Sequence, residues 1–350
     1  MRQFDYAELK TKHWDNEILG LVAQIHEYKG RQEMYLKQKP QELLRLVEIA
    51  KVQSTEASNE IEGIRTTNTR LKQLCADKTT PRNRDEKEIM GYRDVLNTIH
   101  DNFEYIPVRS GYILQLHRDL YKYSEIGIGG TFKNTQNYIS ASDGYGNNFV
   151  LFTPLTPYET PGAIDRICES YNSVIDSREI DPLILIPAFI HDFLCIHPFS
   201  DGNGRMSRLL TTLLLYRSGY VIGRYISLES KIAKNKGLYY DALEECQRGW
   251  HEGKEDVSPF IKYLLRTVLA AYRDFEERVS LIYDKLPAAE MVRRAAYGKI
   301  GKFTKNDIME LCPSIGKTSI ENALKKLVEN GSLIRHGKGK STFYTRSDAE

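Results

Sequence analysis

The 350-residue chain has no apolar run that approaches the roughly 18 residues of a membrane-spanning helix. Its first ten residues contain acids and no apolar stretch, so we expect neither a signal peptide nor a membrane partner. The five cysteines are scattered and never spaced as Cys-x-x-Cys, which argues against disulfides or a zinc site and for a cytoplasmic protein. The net charge is only +2, so whole-chain charge identifies no partner.

Charge is nevertheless unevenly distributed along the chain. Residues 285–350 carry thirteen Lys and Arg against seven Asp and Glu, whereas the remainder carries 36 and 40. A proline-containing boundary near Tyr283–Pro287 coincides with this change. The C-terminal tail is therefore expected to be a separate basic unit.

Most of the chain shows the apolar spacing of helices. The expected helices are 41–62, with Gly63 just past its end, and 84–100, 110–123, 161–177, 182–195, 204–218, 236–249 and 259–283. Pro187 weakens the fifth of these locally. Between them, apolar residues alternate over Thr131–Ser140 and Asp143-Gly144 form a turn pair, so we expect a small β-hairpin there.

The basic tail has an element order of its own. Thr304 is a plausible N-cap for a short helix to Leu311, and Lys317–Asn330 is amphipathic. Two short apolar segments, Leu333-Ile334 and Phe343-Tyr344, flank a Gly/Lys loop. Helix, turn, helix, hairpin is the order of a winged helix-turn-helix.

The strongest chemical pattern is the segment from His197 to Arg208, HPFSDGNGRMSR. Gly202, Asn203 and Gly204 permit a loop in which backbone N–H groups converge on an anion, at the N-terminus of the following helix. Arg205 and Arg208 are three residues apart and can both reach phosphates.

Two further side chains complete this pattern. Asp201 can hold a magnesium ion that bridges phosphate oxygens, and His197 can accept a proton near pH 7. Phe199 is expected to anchor the loop in the core. An anion-binding loop, two arginines, a metal ligand and a base together indicate attack of a hydroxyl on a bound phosphate.

This segment resembles the Fic signature, HxFx(D/E)GNGRxxR, at every specified position. The resemblance implies a mainly α protein with a Fic helical core over about 104–283. It also implies Mg²⁺-dependent transfer of AMP from ATP to a Ser, Thr or Tyr hydroxyl of a target protein. His197 would deprotonate that hydroxyl, Asp201 would hold the metal, and the residues of the loop and both arginines would bind the phosphates.

A second motif, SNEIEG at 58–63, resembles the family's inhibitory sequence (S/T)xxxE(G/N). Ser58 and Glu62 fall on one helix face, and Gly63 completes the motif. The resemblance implies that Glu62 binds Arg208 and displaces the γ-phosphate, since a carboxylate and a phosphate compete for one guanidinium. The alternative is a surface helix whose Glu62 is solvated.

Two weaker similarities concern the binding of the target protein and of the adenine ring. The predicted hairpin resembles the flap that binds a target by strand addition, with Lys133 where the family often has Arg. Its candidate residues are Thr131, Lys133, Gln136, Tyr138 and Ile139. The segment GLYYDAL resembles a family helix beside the adenine pocket, which would place Tyr239 and Tyr240 near the base; core packing is the alternative.

These observations predict three parts: residues 1–103 with an inhibitory helix at about 41–63, a catalytic core at 104–283, and a winged helix at 284–350. The predicted function is autoinhibited AMP transfer to a target protein and to the chain itself. Relatives often form homodimers, so a homodimer is possible. Two alternatives stay open: DNA binding through residues 304–345, and removal of AMP at the same site with Glu62 aligning a water.

Overall fold

The computed structural model describes residues 2–38, 40–142, 148–283, 287–299, 301–312 and 315–347. Helices dominate it. They are α1 (Asn16–Gln38), α2 (Pro40–Ile61), α3 (Asn68–Cys75), α4 (Arg84–Asn102), α5 (Ser110–Leu120), α6 (Thr160–Ser177), α7 (Pro182–Ile196), α8 (Asn203–Arg217), α9 (Leu228–Lys234), α10 (Lys236–Gln247), α11 (Ser258–Tyr283), α12 (Ala288–Tyr297), α13 (Lys305–Leu311) and α14 (Lys317–Glu329).

The described strands form two antiparallel hairpins. One pairs β1 (Ile139–Ser142) with β2 (Asn148–Phe152), and the other pairs β3 (Leu333–His336) with β4 (Phe343–Arg346). The mainly α fold class expected from the sequence is thereby confirmed. None of the described helices combines the length and apolar content needed to cross a bilayer.

By its internal contacts the chain divides into two compact units. The first comprises Met1–Glu27 with Ala50–Ala271, and the second comprises Tyr28–Ile49 with Tyr272–Glu350. The three-part division stays a prediction, and part of its second boundary lies outside the described residues.

The centre of the first unit is the packed pair α7 and α8. The sequence of α7 is almost entirely apolar, and every residue from Leu183 to Ile196 is buried. Helix α6 packs on α7, and α4 packs on α8. Pro187 lies inside α7 and removes one backbone hydrogen bond of that helix. Helix α7 continues through Pro187 because α6 and α8 pack against its apolar surface. The connection between α7 and α8 is the segment that the sequence marks for chemistry.

The second unit has its own small core. It is built from α12, α13, α14 and β3, with Phe303, Ile308, Ile320 and Leu324 among its buried residues. Thr304 caps α13 in a reciprocal capping box with Asp307, as the sequence predicts. The expected short strands are also present, whereas part of the expected turn at 312–316 lies outside the described residues.

The first hairpin differs from the sequence expectation. Strand β1 begins only at Ile139, and its partner is Asn148–Phe152; Thr131–Tyr138 form an irregular loop. The expected hairpin is therefore present, but it begins later in the chain than the alternation from Thr131 predicts. The loop residues are tied instead to the α7–α8 connection, since Lys133 N–H donates to the Pro198 carbonyl. The proposed Asp143-Gly144 turn lies outside the described residues.

Candidate active site

The α7–α8 connection turns sharply at both ends. His197 ends α7 with φ 51°, and Gly202 precedes α8 with φ 83°. A left-handed conformation is unfavourable for a histidine and persists only where surrounding contacts fix it. Asn203 and Gly204 are helical, so only Gly202 of the predicted glycine-rich loop uses a positive φ.

Side-chain hydrogen bonds from Asn203 and Asn137 hold the α7–α8 connection in this conformation. The Asn203 side chain accepts from the Phe199 N–H at 2.9 Å and donates to the Phe199 carbonyl at 2.7 Å. Asn137 donates to the same carbonyl and to that of His197. Phe199 is fully buried, which confirms its predicted role as the anchor of the loop. The Asn203 amide is thus committed to loop structure, and only its backbone N–H can face a phosphate.

A cavity of about 520 Å³ lies over this connection. The predicted site residues that line it are Glu62, Ile139, His197, Asp201, Gly202, Asn203, Gly204, Arg208, Tyr239 and Tyr240. The predicted residues outside its lining are Ser58, Gly63, Thr131, Lys133, Gln136, Tyr138 and Arg205. The structure thus brings together residues from the turn after α2, β1, the α7–α8 connection, α8 and α10.

Arg208 and Glu62 meet inside this cavity. Arg208 Nη2 lies 2.7 Å from Glu62 Oε1, with the guanidinium buried and the carboxylate a third exposed. The same guanidinium donates to Ser58 Oγ at 2.8 Å and to the Ser58 carbonyl at 2.9 Å. Gly63 ends the helix with φ 81°, where a left-handed residue is needed. Glu62 is therefore not the solvated surface residue of the alternative interpretation.

The Glu62 carboxylate also reaches the N-terminus of α8. A Cβ built on Gly204 would lie 2.2 Å from Glu62 Oε1, so only glycine leaves room for this approach. A helix N-terminus favours negative charge because its first N–H groups lack intrahelical partners. Glu62 thus places its carboxylate where a helix N-terminus favours an anion.

The His197 ring has one nitrogen free to accept a proton. Its Nδ1 lies 3.2 Å from the Leu194 carbonyl. Since a carbonyl can only accept, Nδ1 carries the proton and Nε2 keeps its lone pair. Burial lowers the pKa of His197 to about 4. The imidazole is therefore neutral at pH 7, the form that can take a proton.

Asp201 fits a magnesium ligand by its chemistry. Its side chain is 46% exposed, accepts from the Gly202 N–H at 2.6 Å, and lies 3.5 Å from Arg84 Nη2. No group of three or more His, Cys, Asp or Glu in the described part of the chain could hold a metal alone. Mg²⁺ commonly takes one or two carboxylates and completes its shell with phosphate oxygens and water. A single carboxylate beside a phosphate position meets that requirement.

Arg205 is placed differently from Arg208. Its side chain is 1% exposed, with Nη1 2.7 Å from Glu88 Oε2 and Nη2 donating to the Tyr121 hydroxyl at 2.7 Å. Although residues three apart share a helix face, these partners on α4 and just after α5 direct Arg205 into the protein. In this structure it joins α8 to its neighbours, and phosphate binding by Arg205 stays a prediction.

The two tyrosines of α10 also differ from each other. Tyr239 is buried and packs against the rings of Tyr240, Phe260 and Tyr263. Tyr240 is 43% exposed and lines the cavity. Burial raises the pKa of Tyr240 to about 12, so its hydroxyl stays protonated at pH 7. Tyr240 is the better placed of the two to meet a bound base.

Lys133 is buried beneath the loop rather than presented on a flap. Its Nζ donates to the Ile196 carbonyl at 3.0 Å and to Asn137 Oδ1 at 2.8 Å. Burial lowers the pKa of Lys133 to about 8. The side chain therefore closes the C-terminal end of α7, where a cation satisfies a free carbonyl.

Sequence reasoning missed His117, which supports the same connection. This fully buried ring stacks on Phe199, with centroids 3.6 Å apart. Its Nδ1 accepts from the Gly130 N–H at 3.0 Å, so Nε2 carries the proton and donates to the Asp201 carbonyl at 3.1 Å. Burial lowers the pKa of His117 to about 4. No local sequence signal marks this residue, because its partner Asp201 is 84 residues away.

Known proteins share this fold. A Fic family protein from Desulfovibrio desulfuricans G20 superposes with a TM-score of 0.62 at 21% identity, over 97% of this chain and 98% of that one. A Fic domain-containing signaling protein from Bacteroides thetaiotaomicron has a TM-score of 0.60 at 24% identity, over 74% of this chain and 95% of that one. The mainly helical fold is therefore a Fic fold.

The sequence comparisons are more specific. Residues 107–215 match the model of the Fic/DOC family. The protein adenylyltransferase Fic of Aedes aegypti is 27% identical over 43% of this chain and 26% of its own length. Protein adenylyltransferase fic-1 of Caenorhabditis elegans is 25% identical over 52% of this chain and 32% of its own length. A Fido domain-containing protein of Dictyostelium discoideum is 26% identical over 41% of this chain and 98% of its own.

Residues 107–215 thus match the Fic/DOC family, and the chain is homologous to protein adenylyltransferases over about half of its length. It spans only about a quarter to a third of the two adenylyltransferases compared above.

Proposed function

We propose that this protein transfers AMP from ATP to a Ser, Thr or Tyr hydroxyl of a target protein, and that Glu62 inhibits the reaction. The observation that carries the proposal is the meeting of three features in one cavity. They are the neutral His197, the N-terminus of α8 with Arg208, and the carboxylate of Asp201. A base beside an anion site is what hydroxyl attack on a phosphate requires.

In the proposed reaction His197 Nε2 removes the proton from the target hydroxyl. The hydroxyl oxygen attacks the α-phosphorus of ATP, the bond to the β-phosphate bridging oxygen breaks, and pyrophosphate leaves. The N–H groups at the start of α8 and the Arg208 guanidinium bind phosphate oxygens. Asp201 would hold Mg²⁺, which when bound neutralises phosphate charge. Rate enhancement then comes from positioning and electrostatics.

The proposed inhibition follows from where Glu62 lies. Its carboxylate is bound to Arg208 and approaches the N-terminus of α8, so it takes the partners that a phosphate would use. ATP can bind productively only after Glu62 withdraws. Since one charge-assisted hydrogen bond contributes about 1.5–3 kcal/mol, removing Glu62 should raise transfer by about tenfold or more.

The experiment compares labelling by α-labelled ATP with Mg²⁺ in wild type, Glu62→Gly, Glu60→Gly and Glu62→Gly/His197→Ala. Glu60 is the matched control, because it is an exposed residue in the same last turn, paired with Arg65. Self-labelling should rise in Glu62→Gly alone. An equal rise in Glu60→Gly would assign the effect to fraying of α2. Labelling that survives His197→Ala would show that His197 is not the base.

The target would bind beside β1. Ile139, Ser140 and Ala141 line the cavity, and β1 pairs with only one strand among the described residues. A strand added at this edge would carry its hydroxyl toward His197. The chain itself is a second substrate in this proposal, and a homodimer is compatible with it.

Removal of AMP and DNA binding remain alternatives. Loss of AMP hydrolysis in Glu62→Gly, alongside gained transfer, would favour the reverse reaction at this site. For DNA binding, exposed Lys317, Lys326 and Lys338 fit a duplex-binding surface. However, Glu321 and Glu329 on the outside of α14 pair with Lys305 and Lys325 and reduce its positive charge.

A further inference from the structure

The chain just after the inhibitory carboxylate is attached to the first turn of α4. Asp85 Oδ2 accepts from the Arg65 N–H at 3.2 Å, and Glu86 Oε1 accepts from the Thr66 hydroxyl at 3.1 Å. Ile64 packs against a buried apolar cluster that α3 and α4 form together. Three successive residues are therefore held within four positions of the inhibitory residue.

Glu86 is the centre of this attachment. Its buried carboxylate accepts from Arg70 Nε at 2.9 Å, from Arg70 Nη2 at 2.6 Å and from the Arg82 N–H at 2.8 Å. Arg70 also donates to the Thr79 hydroxyl and to the Thr80 carbonyl. One carboxylate thus joins α3, the loop after it and the residues that follow α2. Because a buried carboxylate that loses its donors is costly, this arrangement resists local opening.

The residue before Glu62 is attached as well. Lys236 of α10 donates to the Ile61 carbonyl. Between the two attachments the backbone closes the end of α2, since the N–H groups of Glu62 and Ile64 both donate to the Asn59 carbonyl at 3.0 Å. The Glu62 side chain can therefore rotate, whereas its backbone can shift only if one of these attachments opens.

The attachment to α4 lies outside the cavity of the proposed active site, because none of its residues lines that cavity. Loosening it removes no group that would touch ATP or the target. It frees only the segment that carries the carboxylate bound to Arg208. Its expected effect is therefore on inhibition and not on the transfer step.

We propose that Glu86 is a positioning residue for inhibition, which holds Glu62 on Arg208 through Thr66 and the chain beside it. The inference rests on the proposed function. It names a second element, the first turn of α4, that determines how readily ATP displaces the inhibitory carboxylate. Loosening this attachment raises activity only while Glu62 is present.

The test makes each substitution in the full chain, once in wild type and once in Glu62→Gly. Thr66→Val removes one hydroxyl with little change of shape, and Glu86→Gln removes the charge. Thr156→Val is the matched control, because the Thr156 hydroxyl also donates to a glutamate, Glu159, at 2.7 Å and lies outside the cavity lining. The readouts are self-labelling by α-labelled ATP and amide hydrogen exchange at residues 62–64.

With Glu62 present, Thr66→Val should raise self-labelling by about two- to tenfold, as expected for the loss of one hydrogen bond. Glu86→Gln should raise it further, up to the level of Glu62→Gly, where no inhibition is left. In the Glu62→Gly background both should change labelling by less than about twofold. Amide exchange at residues 62–64 should become faster in Thr66→Val, because the end of α2 opens more often. Thr156→Val should alter none of these.

An equal rise in both backgrounds would overturn the proposal, because the attachment would then act on transfer and not on Glu62. Unchanged labelling in Thr66→Val, or an equal effect of Thr156→Val, would overturn it too. If Glu86→Gln does not fold, Thr66→Val decides the outcome. Failure of Glu62→Gly to transfer AMP would contradict the proposed function instead. In that case unchanged exchange at residues 62–64 would still overturn the attachment, because this measurement needs no turnover.

Discussion

At the scale of single residues, the α7–α8 connection is held by side chains that have no chemical part in the proposed reaction. His117 stacks on Phe199 and joins the Gly130 N–H to the Asp201 carbonyl. Asn203 binds both backbone groups of Phe199. Rigid support of this kind is needed where catalysis depends on positioning, since a small displacement of a reacting group is costly.

His117→Phe should therefore impair transfer without unfolding the protein. Phenylalanine keeps the stack on Phe199 and loses two hydrogen bonds, one to the Asp201 carbonyl and one from the Gly130 N–H. We expect the Glu62→Gly variant to lose about tenfold in kcat, the value of one or two neutral hydrogen bonds. The measurement is steady-state transfer together with thermal unfolding.

A matched control exists for this substitution. His251 also stacks on a phenylalanine, Phe152, and bonds to a backbone carbonyl, that of Thr153, outside the cavity lining. His251→Phe should leave kcat within about twofold of its parent, the range of a surface substitution. Equal losses in the two variants would show that His117 has no specific role.

At the scale of elements, the last turn of α2 is held by α10. Lys236 Nζ donates to the Ile61 carbonyl at 2.6 Å, and its ammonium lies 5.5 Å from the Tyr240 ring centre. A cation at the C-terminus of a helix satisfies a free carbonyl and the helix dipole. This contact lies one residue from Glu62, so it stabilises the turn that places the inhibitory carboxylate.

Removing this contact should weaken inhibition in the otherwise wild-type chain. Lys236→Met keeps the apolar stem of the side chain and removes the donor. Loss of one hydrogen bond of about 0.5–1.5 kcal/mol predicts a rise in self-labelling of about two- to tenfold. Lys10→Met, which breaks an exposed pair with Glu179, should leave labelling unchanged. A drop in labelling would contradict this role of Lys236.

How far the sequence predicts these elements depends on how local their causes are. The ends of α8, α13 and α14, and Gly63 after α2, agree closely with expectation because caps and apolar spacing are local. The apolar spacing does not indicate helices α1, α3, α9 and α12. It predicts the first strand too early in the chain, because Lys133 and Asn137 bind the distant α7–α8 connection and keep their segment irregular.

The same reasoning explains the site. The segment from His197 to Arg208 is visible because its chemistry is contiguous in sequence. His117 and the Glu88 partner of Arg205 are not visible in this way, since their contacts join residues more than 80 positions apart. Such partners emerge only when the helices are packed.

At the scale of the whole molecule, the first unit buries four histidines in their neutral form. Burial lowers the pKa of His100 and His191 to about 3 and that of His117 and His197 to about 4. In the unfolded chain each should have a pKa near 6.5. At pH values between these two pKa values, the unfolded state binds more protons than the folded state. The contribution of the buried neutral histidines to the free energy of unfolding is therefore full above pH 6.5 and is lost as the pH falls.

The free energy of unfolding should therefore decrease steadily from pH 7 to pH 5. Each histidine contributes up to about 1.4 kcal/mol per pH unit within this window. Urea unfolding at pH 7.5, 6.5, 5.5 and 5.0 measures the trend. His100→Gln removes one titrating group and should make the free energy of unfolding depend less steeply on pH. The same substitution also loses the hydrogen bond with Tyr216. A pH-independent stability would contradict the burial of neutral histidines.

The most direct test of the account is the fate of the phosphates of ATP in Glu62→Gly. The protein should retain label from α-labelled ATP, release one pyrophosphate per AMP transferred, and retain no label from γ-labelled ATP. Label from the γ-phosphate on the protein would make it a kinase. Silence with both labels, in the presence of Mg²⁺ and with the chain folded, would contradict AMP transfer to the chain itself.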